Sequence, residues 1–124
     1  MTINEEIFAK AMLLVKGELL KDEEAVLKEI CAMACDELMG RLKEDVLLTD
    51  IHDSFVRSAA TLALAMFLEA ETSQVQSFSA GSVHVSRQNP AQIRASTDLL
   101  RRQAELMLLG YLKDHGFGFK AVRG

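Results

Sequence analysis

The fold is decided by the stretch Val56–Ala70, which reads VRSAATLALAMFLEA. Its apolar residues cover nearly every face of a helix, and its alanines are small enough to let neighbouring elements approach closely. A helix that is apolar all round is buried all round. We therefore predict a helix over about residues 50–71 that forms the centre of the domain, with the other elements packed about it.

Three further helices are predicted from apolar residues at helical spacing. They cover about residues 4–19, 22–43 and 93–113. Asn4 and Asp22 are the expected N-caps of the first two, because short polar side chains satisfy free backbone N–H groups at a helix start. The predicted fold is mainly α: one four-helix bundle-like domain over residues 1–124.

One segment, at about residues 75–87, departs from the helical period. It reads VQSFSAGSVHVSR, and apolar and polar residues alternate from Ser82 to Arg87 as in a half-buried strand. A turn at Ala80-Gly81 places Phe78 opposite Val83 and Gln76 opposite Val85. We predict a short β-hairpin between helices three and four.

A two-stranded ribbon is only marginally stable alone, so this one is expected to dock, partly on a neighbouring copy. The hairpin residues predicted to serve self-association are Phe78, Val83 and Val85.

The C terminus, residues 116–124, reads GFGFKAVRG and is predicted to be an extended tail. Phe117 and Phe119 make it too apolar to remain free in water. Two interpretations stay open: these rings pack back onto the domain, or they anchor a partner.

Charge is divided unevenly along the chain. Residues 1–86 contain 7 Lys and Arg against 15 Asp and Glu, a net charge of −8, whereas residues 87–124 contain 7 against 3, a net charge of +4. Such halves suit a head-to-tail contact between copies, the binding of an anionic partner, or two solvated faces. We favour ion pairs between subunits, and assign Arg101 and Arg102 of the last helix to self-association.

The remaining chemistry of the sequence is sparse. Cys31 and Cys35 lie on one helix face, but a closed zinc site needs four ligands and the three histidines are scattered, so we interpret both thiols as small buried hydrophobes. We predict no metal and no cofactor. No leader pattern and no apolar stretch long enough to span a bilayer occurs, which indicates a cytosolic protein without membrane contact.

No catalytic constellation has recognisable spacing. A nucleophile elbow and a phosphate-binding glycine loop are both missing from the sequence. Asp50, His52 and Asp53 are interpreted as the start of a helix, where acidic residues are favoured, and not as an acid–base pair. We expect that the protein is not an enzyme.

The order of parts resembles a known family. Helices are followed by Phe78–Val85, then by an amphipathic helix containing Leu99–Glu105 and Tyr111-Leu112, then by Gly116-Phe117 and the closing Val122–Gly124. This order resembles the small head-tail connector (head-completion, or adaptor) proteins of tailed bacteriophages and prophages. The specific part of the resemblance runs from Phe78 to the C terminus.

The resemblance implies a mostly helical subunit that assembles into a ring of many copies. Such a ring joins the portal to the next tail-side component, and DNA passes through its lumen without sequence recognition. The subunit is then expected in the host cytoplasm during assembly and afterwards in the virion. Two other functional classes remain as alternatives: a small nucleic-acid-binding regulator that uses the basic last helix, and a plain protein-interaction module.

Overall fold

A computed structural model of the chain describes residues 2–15, 19–77 and 90–113, with backbone alone for 71–77, 90 and 93. These residues form four α-helices: α1 Ile3–Leu14, α2 Lys21–Arg41, α3 His52–Ser77 and α4 Pro90–Met107. Two short 3-10 helices, Leu48–Ile51 and Leu109–Tyr111, precede α3 and follow α4. The predicted helical bundle-like class is confirmed.

Helix α3 is the centre of the fold, as the all-round apolar stretch predicts. It packs against α1, α2 and α4. Phe55 is fully buried, and so are Ala60, Ala63 and Ala65. Ala60 and Ala65 lie about 140° apart around the helix, so burial is not confined to one side. With only a methyl group at each alanine position, the neighbouring helices can approach α3 closely.

Helix α1 begins before the predicted cap Asn4. Thr2 is the N-cap: its Oγ1 accepts a hydrogen bond from the Glu5 N–H at 3.1 Å, and Glu5 Oε1 accepts one from the Thr2 N–H at 2.7 Å. This capping box satisfies two otherwise free donors, and the bond that the Thr2 N–H donates to the Glu5 carboxylate lowers the pKa of Glu5. The helix ends at Leu14, well before the predicted residue 19, because Val15 is already extended (φ −72°, ψ 134°).

Helix α2 begins at Lys21, one residue before the predicted cap Asp22. Glu23 Oε1 accepts the Leu20 N–H at 2.9 Å, and since a leucine side chain has no acceptor, only half of a capping box is formed. The predicted apolar stripe of this helix is Leu27, Ile30, Cys31, Ala34, Leu38 and Leu42. All of these residues are buried except Leu42, which follows the helix end and is half-buried.

The residues just past the ends of α2 and α4 are extended and pair with each other. Leu42 forms an antiparallel bridge with Leu112. The Lys43 N–H donates to the Tyr111 carbonyl at 2.9 Å, and the Lys113 N–H donates to the Arg41 carbonyl at 2.7 Å. The predicted helix ends at residues 43 and 113 are therefore wrong: these backbone groups bond across the bundle instead of along their helices.

The predicted hairpin is wrong at its start. Val75, Gln76 and Ser77 are the last residues of α3, so Gln76 cannot pair with Val85 as a strand. Extending an existing helix adds one hydrogen bond per residue, whereas a strand needs a partner. Residues 78–87 and the predicted tail, 116–124, lie outside the described residues, where both features stay predictions.

Helix α4 also differs from its predicted span. It begins at Pro90, because proline at the first helical position gives up no hydrogen bond and has its φ already set. It ends at Met107, where Leu108 leaves the helical region (φ −118°, ψ 18°). Within the described ranges, no helix combines the length and the continuous apolarity that crossing a membrane requires.

Candidate interaction surfaces

Two of the residues predicted for self-association, Arg101 and Arg102, lie next to each other on α4 but have different surroundings. Arg101 is half-buried against α3, whereas Arg102 is exposed. The other predicted positions lie outside the described residues; they are Phe78, Val83, Val85, Phe117 and Phe119.

Arg101 forms an ion pair with Glu69 of α3 within the same chain. Its Nη2 is 2.7 Å from Glu69 Oε1 and its Nε is 3.0 Å from Oε2, so the guanidinium binds the carboxylate in a bidentate manner. The hydrogen bonds from Arg101 lower the pKa of Glu69, and those to Glu69 raise the pKa of Arg101. This guanidinium holds α4 on α3, which leaves Arg102, without an ion pair to any described residue, as the arginine available to a second molecule.

The surface of α4 that faces away from α3 carries exposed leucines. We define the outer face of α4 as Ala95, Asp98, Leu99, Arg102 and Leu106. Leu99 and Leu106 are 56% and 58% exposed, although they lie in a well-formed helix. The opposite side of α4, with Thr97 and Ala104, is buried, and so is Leu108 just past its end. Helix α4 thus packs against α3 with one side and exposes leucines to solvent on the other.

A groove with a volume of about 440 Å³ lies between α1 and the start of α3. We define the α1–α3 groove by its lining residues, which are Glu6, Ala9, Lys10, Leu13, His52, Asp53, Val56 and Arg57. Leu13 is 78% exposed, so the groove offers apolar surface to solvent. Sequence reasoning missed this site, because α1 and the start of α3 are far apart in the chain.

The groove has an acidic end and a basic end. Glu6 and Asp53 lie at the first, and Lys10 and Arg57 lie one helical turn further along α1 and α3. His52 Nε2 lies 2.7 Å from Glu6 Oε1 and joins the two helices there. As interpreted from the sequence, His52 and Asp53 form the first turn of a helix.

Cys31 and Cys35 are buried within the bundle. Burial raises the pKa of the Cys31 thiol to about 11 and also raises that of Cys35, so both are protonated at neutral pH. Their interpretation as small buried hydrophobes fits this burial. In the part of the chain that the structure describes, no group of three His, Cys, Asp or Glu residues is placed to hold a metal ion.

Comparison with known proteins finds no matching family model, no matching curated protein and no matching solved structure.

Proposed function

We propose that the protein is a non-enzymatic assembly subunit, a head-tail connector of a tailed bacteriophage or prophage that self-associates into a ring. The ring joins the portal to a tail-side component, and DNA passes through its lumen without being read. The observation that carries the proposal is the outer face of α4, whose leucines are exposed in the single subunit.

The exposed leucines support an interface because the subunit does not use them for its own core. Burying a leucine side chain is worth about 1.5–3 kcal/mol relative to full exposure, and Leu99, Leu106 and Leu109 are each more than half exposed. Leu109 extends the apolar surface just past the end of α4. A face that exposes several leucines beside charged side chains suits a protein–protein contact, in which apolar contacts are bordered by polar groups.

The resemblance adds support from the same part of the chain, since its specific portion includes α4. A short hairpin after α3, carrying Phe78, Val83 and Val85, would extend the contact by pairing its edge with strands of a neighbour. Phe117 and Phe119 would supply a second apolar anchor, either to the subunit itself or to the adjoining ring.

The regulator that binds DNA through its last helix has weaker support. Arg101 is held by Glu69, and between Arg94 and Arg102 the exposed surface includes the acidic Asp98. A phosphate-binding surface needs positive charge that is not interrupted in this way.

Sedimentation velocity at rising protein concentration, followed by electron microscopy of the protein mixed with a portal, tests the proposal. We expect reversible association into closed rings, and binding of those rings to one end of the portal. A chain that stays monomeric at every concentration and ignores the portal would overturn the proposal. Steep, salt-dependent DNA binding by that monomer would favour the regulator.

A further inference from the structure

We infer that the outer face of α4 from one copy docks antiparallel into the α1–α3 groove of the next copy. This inference rests on the proposed function and specifies its contact. Three features of the subunit support it: a side-chain pattern that matches in one register, the polarity of the groove, and the positions of the two surfaces.

The first feature is the size pattern. Ala95 and Leu99 lie four residues apart on α4, and Ala9 and Leu13 lie four residues apart on α1. All four are exposed in the subunit. When two helices run antiparallel, Leu99 sits over Ala9 in the same register that sets Leu13 over Ala95, so that each large residue meets a small one.

The second feature is charge, and it requires the same register. Arg102 then lies opposite Glu6, and Asp98 lies opposite Lys10, so two pairs of opposite sign form one turn apart. On the α3 side of the groove, Asp53 and Arg57 repeat that polarity. A parallel arrangement would set Asp98 beside the acidic end and Arg102 beside the basic end, which like-charge repulsion disfavours.

The third feature is that the two surfaces face different directions. Ser58 marks the side of α3 that meets α4, because its Oγ donates to the Ala104 carbonyl at 2.7 Å. Asp53 precedes Ser58 by five residues, which places it about 140° around the helix at 3.6 residues per turn. The groove and the outer face thus belong to different sides of the subunit. A contact between different surfaces is head-to-tail, and it generates a ring when its rotation closes.

The decisive experiment uses one variant for each surface. Leu99→Glu blocks the outer face and leaves the groove intact; Leu13→Glu blocks the groove and leaves the outer face intact. Both leucines are exposed, so circular dichroism should show unchanged helices. In sedimentation velocity, each variant alone should remain monomeric at concentrations where the unmodified chain assembles. An equimolar mixture should form a dimer and nothing larger, because only one functional pair of surfaces remains.

A charge exchange tests the register. Lys10→Glu places a carboxylate opposite Asp98, and Asp98→Lys places a second amine opposite Lys10. Each single change should weaken association by about tenfold or more. The double variant restores opposite charges and should recover most of the association.

The outcomes separate this inference from the proposed function. If the unmodified chain assembles and Leu13→Glu assembles equally well, the contact does not use the groove, and the inference falls while the assembly role stands. Failure of the double charge variant to recover beyond the single variants overturns the antiparallel register. If the unmodified chain never associates and never binds a portal, the proposed function falls as well.

Discussion

The ion pair between Glu69 and Arg101 shows at the level of single residues how a surface contact depends on pH. Because the folded-state pKa of Glu69 is lowered from its ordinary value of 4.5, the stabilisation is present above that value. It is lost as the pH falls through the lowered pKa. Both side chains are about 40% exposed, so solvent screening keeps the contribution small.

We expect Arg101→Ala to lower the free energy of unfolding by about 0.5–1 kcal/mol at neutral pH. Below the lowered pKa of Glu69 the difference from the unmodified chain should shrink, because the carboxyl is then protonated in both. Urea unfolding at the two pH values measures this change. Arg102→Ala, which removes no ion pair to a described residue, serves as the control. A loss that is equally large in acid would contradict the ion-pair explanation.

The start of α1 offers a second test at the level of residues, since the sequence favours Asn4 as the cap and the structure uses Thr2. Thr2→Ala should lower the free energy of unfolding by about 1 kcal/mol, because the Glu5 N–H loses its acceptor. Asn4→Ala should lower the free energy of unfolding by less, since Asn4 lies inside the helix and alanine is the better helix former. Chemical denaturation of the two variants decides between them, and a larger loss for Asn4→Ala would assign the cap to Asn4.

At the level of elements, the alanines of α3 determine how closely the other helices approach. Ala63 is fully buried in the core, so Ala63→Leu adds three carbon atoms where there is no space. We expect a loss of about 1–3 kcal/mol in the free energy of unfolding, from shifted backbones and strained rotamers.

Ala25→Leu on the exposed side of α2 is the matched control for Ala63→Leu. It adds the same atoms to a surface position and should leave the unfolding midpoint nearly unchanged. Similar losses in the two variants would mean that α3 is not tightly packed.

At the level of the whole molecule, Cys31 and Cys35 report on the integrity of the bundle. Both are buried, and burial raises the pKa of Cys31 to about 11, so little thiolate is present at neutral pH. We expect a thiol reagent to modify the native protein very slowly and the urea-unfolded protein quickly. The dependence of the labelling rate on urea should follow the unfolding curve. Rapid labelling without urea would contradict a packed bundle.

The bundle is closed at one end by contacts between the termini of α2 and α4. The bridge from Leu42 to Leu112 is reinforced by the ion pair of Arg41 with Glu105 at 3.1 Å. Gly40 weakens the last turn of α2, but no proline or glycine marks the end of α4 at Met107, and nothing in either sequence indicates that the two ends pair. The predicted helix ends were therefore too long, because they were derived from local spacing alone.

Much of the interior follows from the sequence alone. The apolar stretch Val56–Ala70 predicts the central, mostly buried helix, although Leu64, Met66 and Leu68 are only partly buried. The stripe that contains Leu27 and Leu38 also predicts the buried face of α2. Hydrophobic burial depends on residue type and period, and both are local properties that can be read directly. The amphipathic α4 was predicted in the same way, with errors of three residues at its start and six at its end.

Only the tertiary structure decides which exposed residues come together and which are already used. It pairs Arg101 with Glu69, and it builds the α1–α3 groove from Glu6 and Asp53, which are far apart in sequence. It also continues α3 through Ser77, where the first strand of the hairpin was predicted to begin. The physical reason is common to all three: side-chain partners and helix ends depend on what lies across the bundle, and the spacing of residues along the chain does not contain that information.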